Sequence, residues 1–573
     1  MNKYSVRLLA LITVLAVLAA ACGPAADDPE TSPTTQAGQG EGDGESTTTS
    51  PDDADPEEEP DAPKPTVRAA IVGDEGTLNP YTYVTGFPGW NLLTMQYDTI
   101  MQLDADGVPQ PWLAESVEVS DDGLQYQITL HPDVQWNDGE SLTAEDVAFT
   151  VEYFLENPHS RFTRDLTGVT GAEVTGDLTV NINLESPSPS FPLSALADVP
   201  IIPQHVWSTV TNPEEFQFEE VTNVASGPLK LVEYRPDQSY RFEANSNYFR
   251  GEPAVSEVIL VQFADDTGAL AAIRAGEVDV VFRPVSPEQI ELLDAQDPIE
   301  IDQGPEFGSQ ILLYDATKPP FDDPVVRQAM SLAIDRQDLV DTVFLGAATV
   351  GSVGWIHPVQ AAFNPQVETV TDVDAANTLL DEAGYADTDG DGIREFDGQP
   401  MSFEILAPSD NSLRIRSSEL ISEMLTDIGI QTEVATVERT TLVEAVWPGF
   451  DVSQGRNYEM SIFGWSSPVL ADVSRISSLV HSDPAIGAIN VTGFSDPEMD
   501  EMAAQLTVET DEQARAQLLL DMQTLFAERL PFIPLLYPDG AYAFDSSVYD
   551  EWVFVAGQGI VSKLSLLPAA ARP

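Results

Sequence analysis

The chain has 573 residues, with 95 Asp or Glu against 25 Lys or Arg and a net charge of −70. Residues 66–573 alone hold 82 acids and 22 bases, so the excess belongs to the part that folds. Such a surface excludes a nucleic-acid binder, which needs a basic stripe, and excludes direct adsorption to anionic lipid. The charge fits either life in high salt, where self-repulsion is screened, or simply an acidic secreted protein.

Lys3 and Arg7 precede an uncharged apolar run, Leu8 to Ala21. A charged start followed by a run too short to span a bilayer predicts an export signal over 1–21. Small residues Ala19, Ala20 and Ala21 lead into Cys22, the sole cysteine of the chain. The pattern resembles a bacterial lipobox, in which cleavage precedes the cysteine and its thiol takes a lipid. Ala19 stands where leucine is usual, and an ordinary signal cut after Ala-x-Ala is the plain alternative. Residues 23–65 carry no aromatic or large aliphatic side chain and are rich in Pro, Ser, Thr and acids. Such a segment cannot offset its ordering entropy, so 22–65 is expected to be a lipidated cysteine on a disordered tether. As a random coil it reaches on the order of 35 Å.

Beyond residue 65 the length implies two or three domains. Leu124–Leu130 and Leu178–Leu184 alternate as half-buried strands, and Val258–Phe263 reads as another. Thr143 and Asp146 form the start of a capped helix running through Val147, Val151 and Phe154. Helices are also predicted over 324–334, over 374–383 with Gly384 as the stop, and over 511–530 ahead of Pro531. The interleaving makes this an α/β chain.

Six blocks in order carry a family resemblance. They are Thr77-Leu78-Asn79-Pro80; the stretch from Gly107 to Val147, with its Pro111-Trp112-Leu113-Ala114-Glu115-Ser116 core; Ser226–Leu231 with Asn247–Gly251; Ala275–Val280; Phe321–Ala329 with Ala333–Arg336; and Leu379–Tyr385. Together they resemble the family 5 solute-binding proteins of ABC importers, the oligopeptide, dipeptide and nickel-binding type, over about 66–555. The resemblance implies a two-lobed, class II periplasmic-binding-protein-like clam-shell with an inserted third subdomain. Lobe I is expected from 66–108, 226–306 and 537–573, the insert from 109–225, and lobe II from 307–536. The ligand is then held in the cleft between lobes, and the partners are an ABC permease with its ATPase. The expected setting is the extracytoplasmic face of the cell membrane, with a monomer held there by lipid alone.

Peptide-binding relatives hold the ligand's ammonium with an aspartate three residues after a cleft tryptophan. The matching stretch here is Gly464-Trp465-Ser466-Ser467-Pro468, so the tryptophan is kept and the acid is replaced by Pro468. Asp472 is the next acid along. The ligand-facing set expected from this resemblance and from aromatic stacking is Trp465, Gly464, Trp355, Trp447, Trp90 and Gln310. A peptide-like ligand is expected, with an oligosaccharide or a metal chelate as the alternatives.

Asp387, Asp389 and Asp391 alternate around Gly390 like the opening of a calcium loop. The closing acid of a complete loop is replaced by Gly398, while Glu395 falls at its ninth position. Structural Ca2+ and a plain acidic turn both fit, and no other cofactor is expected. No serine-hydrolase, zinc-protease, phosphate-loop or dinucleotide motif occurs, and His131, His159, His205, His357 and His481 are scattered. A receptor rather than an enzyme is expected. A secreted hydrolase using a hidden carboxylate pair is the rival from another class.

Overall fold

The computed structural model describes residues 63–159, 161–215 and 223–573. The predicted export signal, Cys22 and nearly all of the tether lie outside the described residues.

Two sheets share one strand. In the first, Thr66–Val72 lies parallel to Glu257–Phe263 and to Val280–Val281. Ser239–Ala244 and Leu229–Arg235 extend this sheet beyond Glu257–Phe263, antiparallel. In the second, Ser402–Pro408 lies parallel to Gln431–Val437 and Met460–Phe463. Gln310–Tyr314 then pairs antiparallel with Met460–Phe463. Every residue of Gln310–Tyr314 and of Met460–Phe463 is buried, as expected for strands covered on both faces.

The shared strand is Ile533–Asp545, thirteen residues long. Its first part pairs with Gln310–Tyr314 and Ala348–Val350, and its second part, from Asp539 onward, with Ile299–Pro305. Between Ile299–Pro305 and Gln310–Tyr314 the chain also crosses, through residues 306–309. These two crossings join the lobes. Glu306 of the link accepts a hydrogen bond from Tyr542 of the shared strand. Burial raises the Glu306 carboxyl above the usual range.

A third, four-stranded antiparallel sheet holds Ala114–Val119, Gln125–Leu130, Thr179–Leu184 and Val169–Gly176, in that order. The helix Ala144–Glu156 packs on it through Val147, Val151 and Phe154, all buried. Its first turn is closed as the sequence predicts: the Thr143 N–H donates to the Asp146 carboxylate at 2.9 Å. The remaining predicted helices form over Pro324–Ala333, Val373–Ala383 and Glu512–Arg529. Gly384 takes φ of 89° at the end of the second, the left-handed stop that glycine adopts without strain.

The chain's last residues return to the first lobe. Lys563 Nζ lies 2.5 Å from Asp98 Oδ1, with both side chains buried. The same oxygen accepts from Trp112 Nε1 and from the Tyr248 hydroxyl, each at 2.9 Å. One carboxylate thus ties together the third sheet's entry, the first sheet's periphery and the C-terminal segment. Among the described residues no helix is long and apolar enough to cross a membrane.

Candidate functional site between the lobes

The register of two central strands creates the site. Ile311 pairs with Phe463, so the chain leaves the sheet at Gly464 beside Ser309. The turn is locked by reciprocal bonds: Ser309 N–H donates to the Trp465 carbonyl at 3.0 Å, and Trp465 N–H donates to Ser309 Oγ at 2.9 Å. A Cβ built on Gly464 would overlap both the Ser309 carbonyl oxygen and Arg414 Nη2, so the close approach requires glycine. This turn meets the other lobe, because Ser467 Oγ donates to the Gly557 carbonyl at 2.8 Å.

Trp465 anchors an aromatic row. Its ring meets Phe463 at 5.3 Å and Trp447 at 5.7 Å, and Trp447 meets Phe450 at 5.2 Å, all edge-to-face. The row ends in solvent, with Phe450 70% exposed. Trp465 and Trp447 both have indole N–H groups that are buried and unpaired. Gln310, 3% exposed, likewise leaves its amide nitrogen unpaired. His357 adds a further donor. Its Nδ1 accepts from the Val359 N–H, which puts the ring proton on the unpaired Nε2, and burial lowers its pKa to about 4. These unmet groups are hydrogen-bond donors.

Trp355 lies in the same core cluster as Trp465. It is 1% exposed and packs edge-on against Phe532 at 5.0 Å in the second lobe's core. Trp90 sits in another core, with the Arg161 guanidinium 4.3 Å over its ring. Among the described residues no ring contact joins Trp90 to Trp465 or Trp447. Pro468 lies in the short helix Ser467–Ala471. The next acid along, Asp472, has its Oδ1 accepting from the Ser474 N–H at 3.0 Å and its Oδ2 facing Arg475 Nε at 4.0 Å.

Arg414, whose Nη2 lies against Gly464, was not among the residues singled out in the sequence. It lies in the first turn of the helix Ser412–Thr426, whose cap is the Asn411 side chain. A cation near a helix N-terminus opposes the macrodipole, and that was the available signal. Two residues on, Arg416 pairs across the cleft with Glu288 of the helix Pro287–Asp294.

The acidic loop brings part of the expected set together. Carboxylate oxygens of Asp387, Asp389 and Glu395 lie within 4.8 Å of one another, whereas Asp391 is outside the group. The Asp391 carboxylate instead accepts from the Ile393 N–H.

A two-lobed body joined by two crossings, with unmet donors and aromatic rings around the Ser309–Gly464 turn, has the architecture of a solute-binding protein. The comparisons agree. Residues 108–486 match the profile of the bacterial extracellular solute-binding proteins, family 5, and the chain belongs to that family. The oligopeptide-binding protein AppA of Bacillus subtilis is 27% identical over 83% of this chain and 88% of its own length. Its structure in complex with a nonapeptide superposes with a TM-score of 0.67 at 23% identity, over 89% of this chain and all of the other. Heme-binding protein A of Haemophilus influenzae is 26% identical over 75% of this chain and 79% of its own. NikA from Brucella suis, in complex with Fe(III)-EDTA, has a TM-score of 0.75 at 24% identity over 88% of this chain and all of that one.

Proposed function

We propose that this receptor is a lipid-anchored lipoprotein that captures a peptide-like ligand between its lobes and delivers it to an ABC permease and its ATPase. The observation that carries the ligand class is the Trp465 turn. An aromatic row and unpaired hydrogen-bond donors suit an extended chain bearing carbonyl groups. The relation to AppA supports the same reading. The anchor rests on Cys22 as the one thiol of the chain, placed directly behind an export signal. The tether keeps the receptor near its permease and raises its effective concentration there.

Native mass spectrometry of the protein as purified tests the ligand class. A ladder of peptide masses supports the proposal. A hexose series or a chelate mass assigns one of the other classes and refutes the peptide reading. The anchor is tested by Cys22→Ala, which should release a folded protein into the medium. Retention of that variant on washed membranes would refute lipidation at Cys22.

A further inference from the structure

The two crossings between the lobes meet at one side chain. Glu306 begins the link 306–309, which leads from Ile299–Pro305 to Gln310–Tyr314. Its carboxyl reaches the other crossing. A Cβ built on Gly540 would fall 2.4 Å from Glu306 Cγ and 2.5 Å from Oε1, so the side chain lies against the shared strand at Gly540 and glycine leaves it room. That point is beside the change of pairing partner, between Pro538 and Asp539. Two residues on, the Tyr542 hydroxyl donates to the same Oε1. Tyr542 is itself wedged. Its ring covers Gly559, where a Cβ would overlap it, and meets Phe87 and Phe554 edge-on at 6.3 and 6.0 Å. One carboxyl thus leaves the first crossing and is held on the second.

The charges around it do not favour ionisation. Burial raises the Glu306 carboxyl, the Tyr542 bond offsets this only in part, and the Asp539 carboxylate raises it further. Burial raises Asp539 and Asp302 as well, and the Gln303 amide donates to Asp539 at 3.0 Å. Arg283 bears on Tyr542 and is paired with Asp266 at 3.3 Å. From the second lobe, His357 meets Phe307 of the link edge-on at 5.5 Å, and burial keeps it neutral down to about pH 4. The segment 554–559 that covers Tyr542 holds no titratable residue. Part of Glu306 still meets solvent, which gives a proton access. We infer that Glu306 is a proton-operated catch of the hinge, whose protonated carboxyl holds the two crossings in the arrangement that keeps the lobes in contact. When it ionises, a desolvated charge faces Asp539 with a single donor, and a hinge motion that lets water between link and strand relieves it. The carboxyl binds a proton more readily packed than hydrated, so falling pH favours contact between the lobes. The Arg416–Glu288 pair acts in the opposite sense: protonating Glu288 breaks it, and the Arg416 bond holds that carboxyl below its usual range. The catch goes beyond the proposed ligand class, since it needs the two-lobed fold and no particular ligand.

Single-molecule energy transfer reads the lobes without a ligand. Dyes are carried by Leu292→Cys and Val508→Cys, exposed positions on either side of the link, in the full-length Cys22→Ala chain. From about pH 8 to about pH 5 the ratio of near to far populations should rise, by up to about tenfold per pH unit, the limit for one proton. Glu306→Gln is neutral at every pH, so it should favour the near population throughout and lose the response. Tyr542→Phe removes the donor to the ionised form and should move the midpoint to higher pH. Asp539→Asn removes the like charge and should move it to lower pH. A ratio that stays flat or falls with acid in the Glu306 chain would overturn the catch, and so would a full response kept by Glu306→Gln. If Glu306→Gln does not fold, unchanged midpoints in both Tyr542→Phe and Asp539→Asn overturn it equally. The peptide reading stands or falls separately, by the masses of the ligands that co-purify.

Discussion

Replacing Asp98 by Asn should destabilise the protein far more than any surface charge change. The Asp98 carboxylate is buried and its Oδ1 gathers Lys563, Trp112 and Tyr248. Removing one member of a buried ion pair leaves the other uncompensated, at about 3–5 kcal/mol. For roughly 500 residues unfolding in one transition, the entropy of unfolding is on the order of 1 kcal/mol per degree, so the melting temperature should fall by about 3–5 °C. Lys563→Met should cost a similar amount, since the carboxylate then keeps only its two neutral donors. The decisive measurement is the double variant. Asp98→Asn with Lys563→Met removes both charges, so its loss should fall short of the sum of the single losses by about 2–3 kcal/mol. Strict additivity in urea and thermal melts would mean that the two side chains do not act on each other, and the reasoning would fail.

Trp465→Ala should weaken binding of the ligand co-purifying with wild type by about 2 kcal/mol, as loss of a buried aromatic anchor does; titration calorimetry showing unchanged affinity would remove Trp465 from the site. Melting temperature should rise between 0.01 M and 1 M chloride as the Debye length falls from about 30 Å to about 3 Å, and a flat response would refute a salt-adapted surface. If the acidic loop binds calcium, Ca2+ should raise the melting temperature of wild type and not of Asp387→Asn with Glu395→Gln; equal response refutes the site. His357 has a folded pKa near 4 against an unfolded value near 6.5, so between them the unfolded chain binds a proton that the fold rejects. Wild type should therefore lose stability relative to His357→Gln as pH falls from about 6.5 to about 4, by up to about 1.4 kcal/mol per pH unit, and parallel curves would exclude the histidine.

Local signals were legible in the sequence, and tertiary ones were not. Thr143, Asp146 and Gly384 act through neighbours within a few residues, so capping chemistry alone placed their helix ends. Trp465 was singled out because it stands in a recognisable stretch. Trp355 looked equivalent in composition, and only the packing of Phe532 and Tyr537 shows how deeply its ring sits in the cluster that also holds Trp465. The acidic loop was read by the positions of a standard calcium loop, whereas folding brings Glu395 inward and turns Asp391 to its own backbone. The shared strand hides behind Pro538-Asp539-Gly540, which has the composition of a turn. The chain runs straight through it because the pairing partner changes there, from Ala348–Val350 to Ile299–Pro305. Arg414 was invisible for a related reason: its place beside Gly464 is set by the tertiary fold, and no local pattern records it.

These observations also bear on what closes the receptor. The lobes are joined by two crossings and touch through few polar groups. The Arg416–Glu288 pair is about two-fifths exposed on both sides, and such pairs contribute about 0–1 kcal/mol. The Ser467–Gly557 bond adds a single neutral contact. Against these stand the unmet donors of Gln310, Trp447 and Trp465. Each buried donor without an acceptor costs about 1–3 kcal/mol. The empty closed form is therefore disfavoured by the same groups that would bind a ligand, while an open form returns them to water. A ligand that supplies acceptors reverses the balance, because its contacts exist only when the lobes meet.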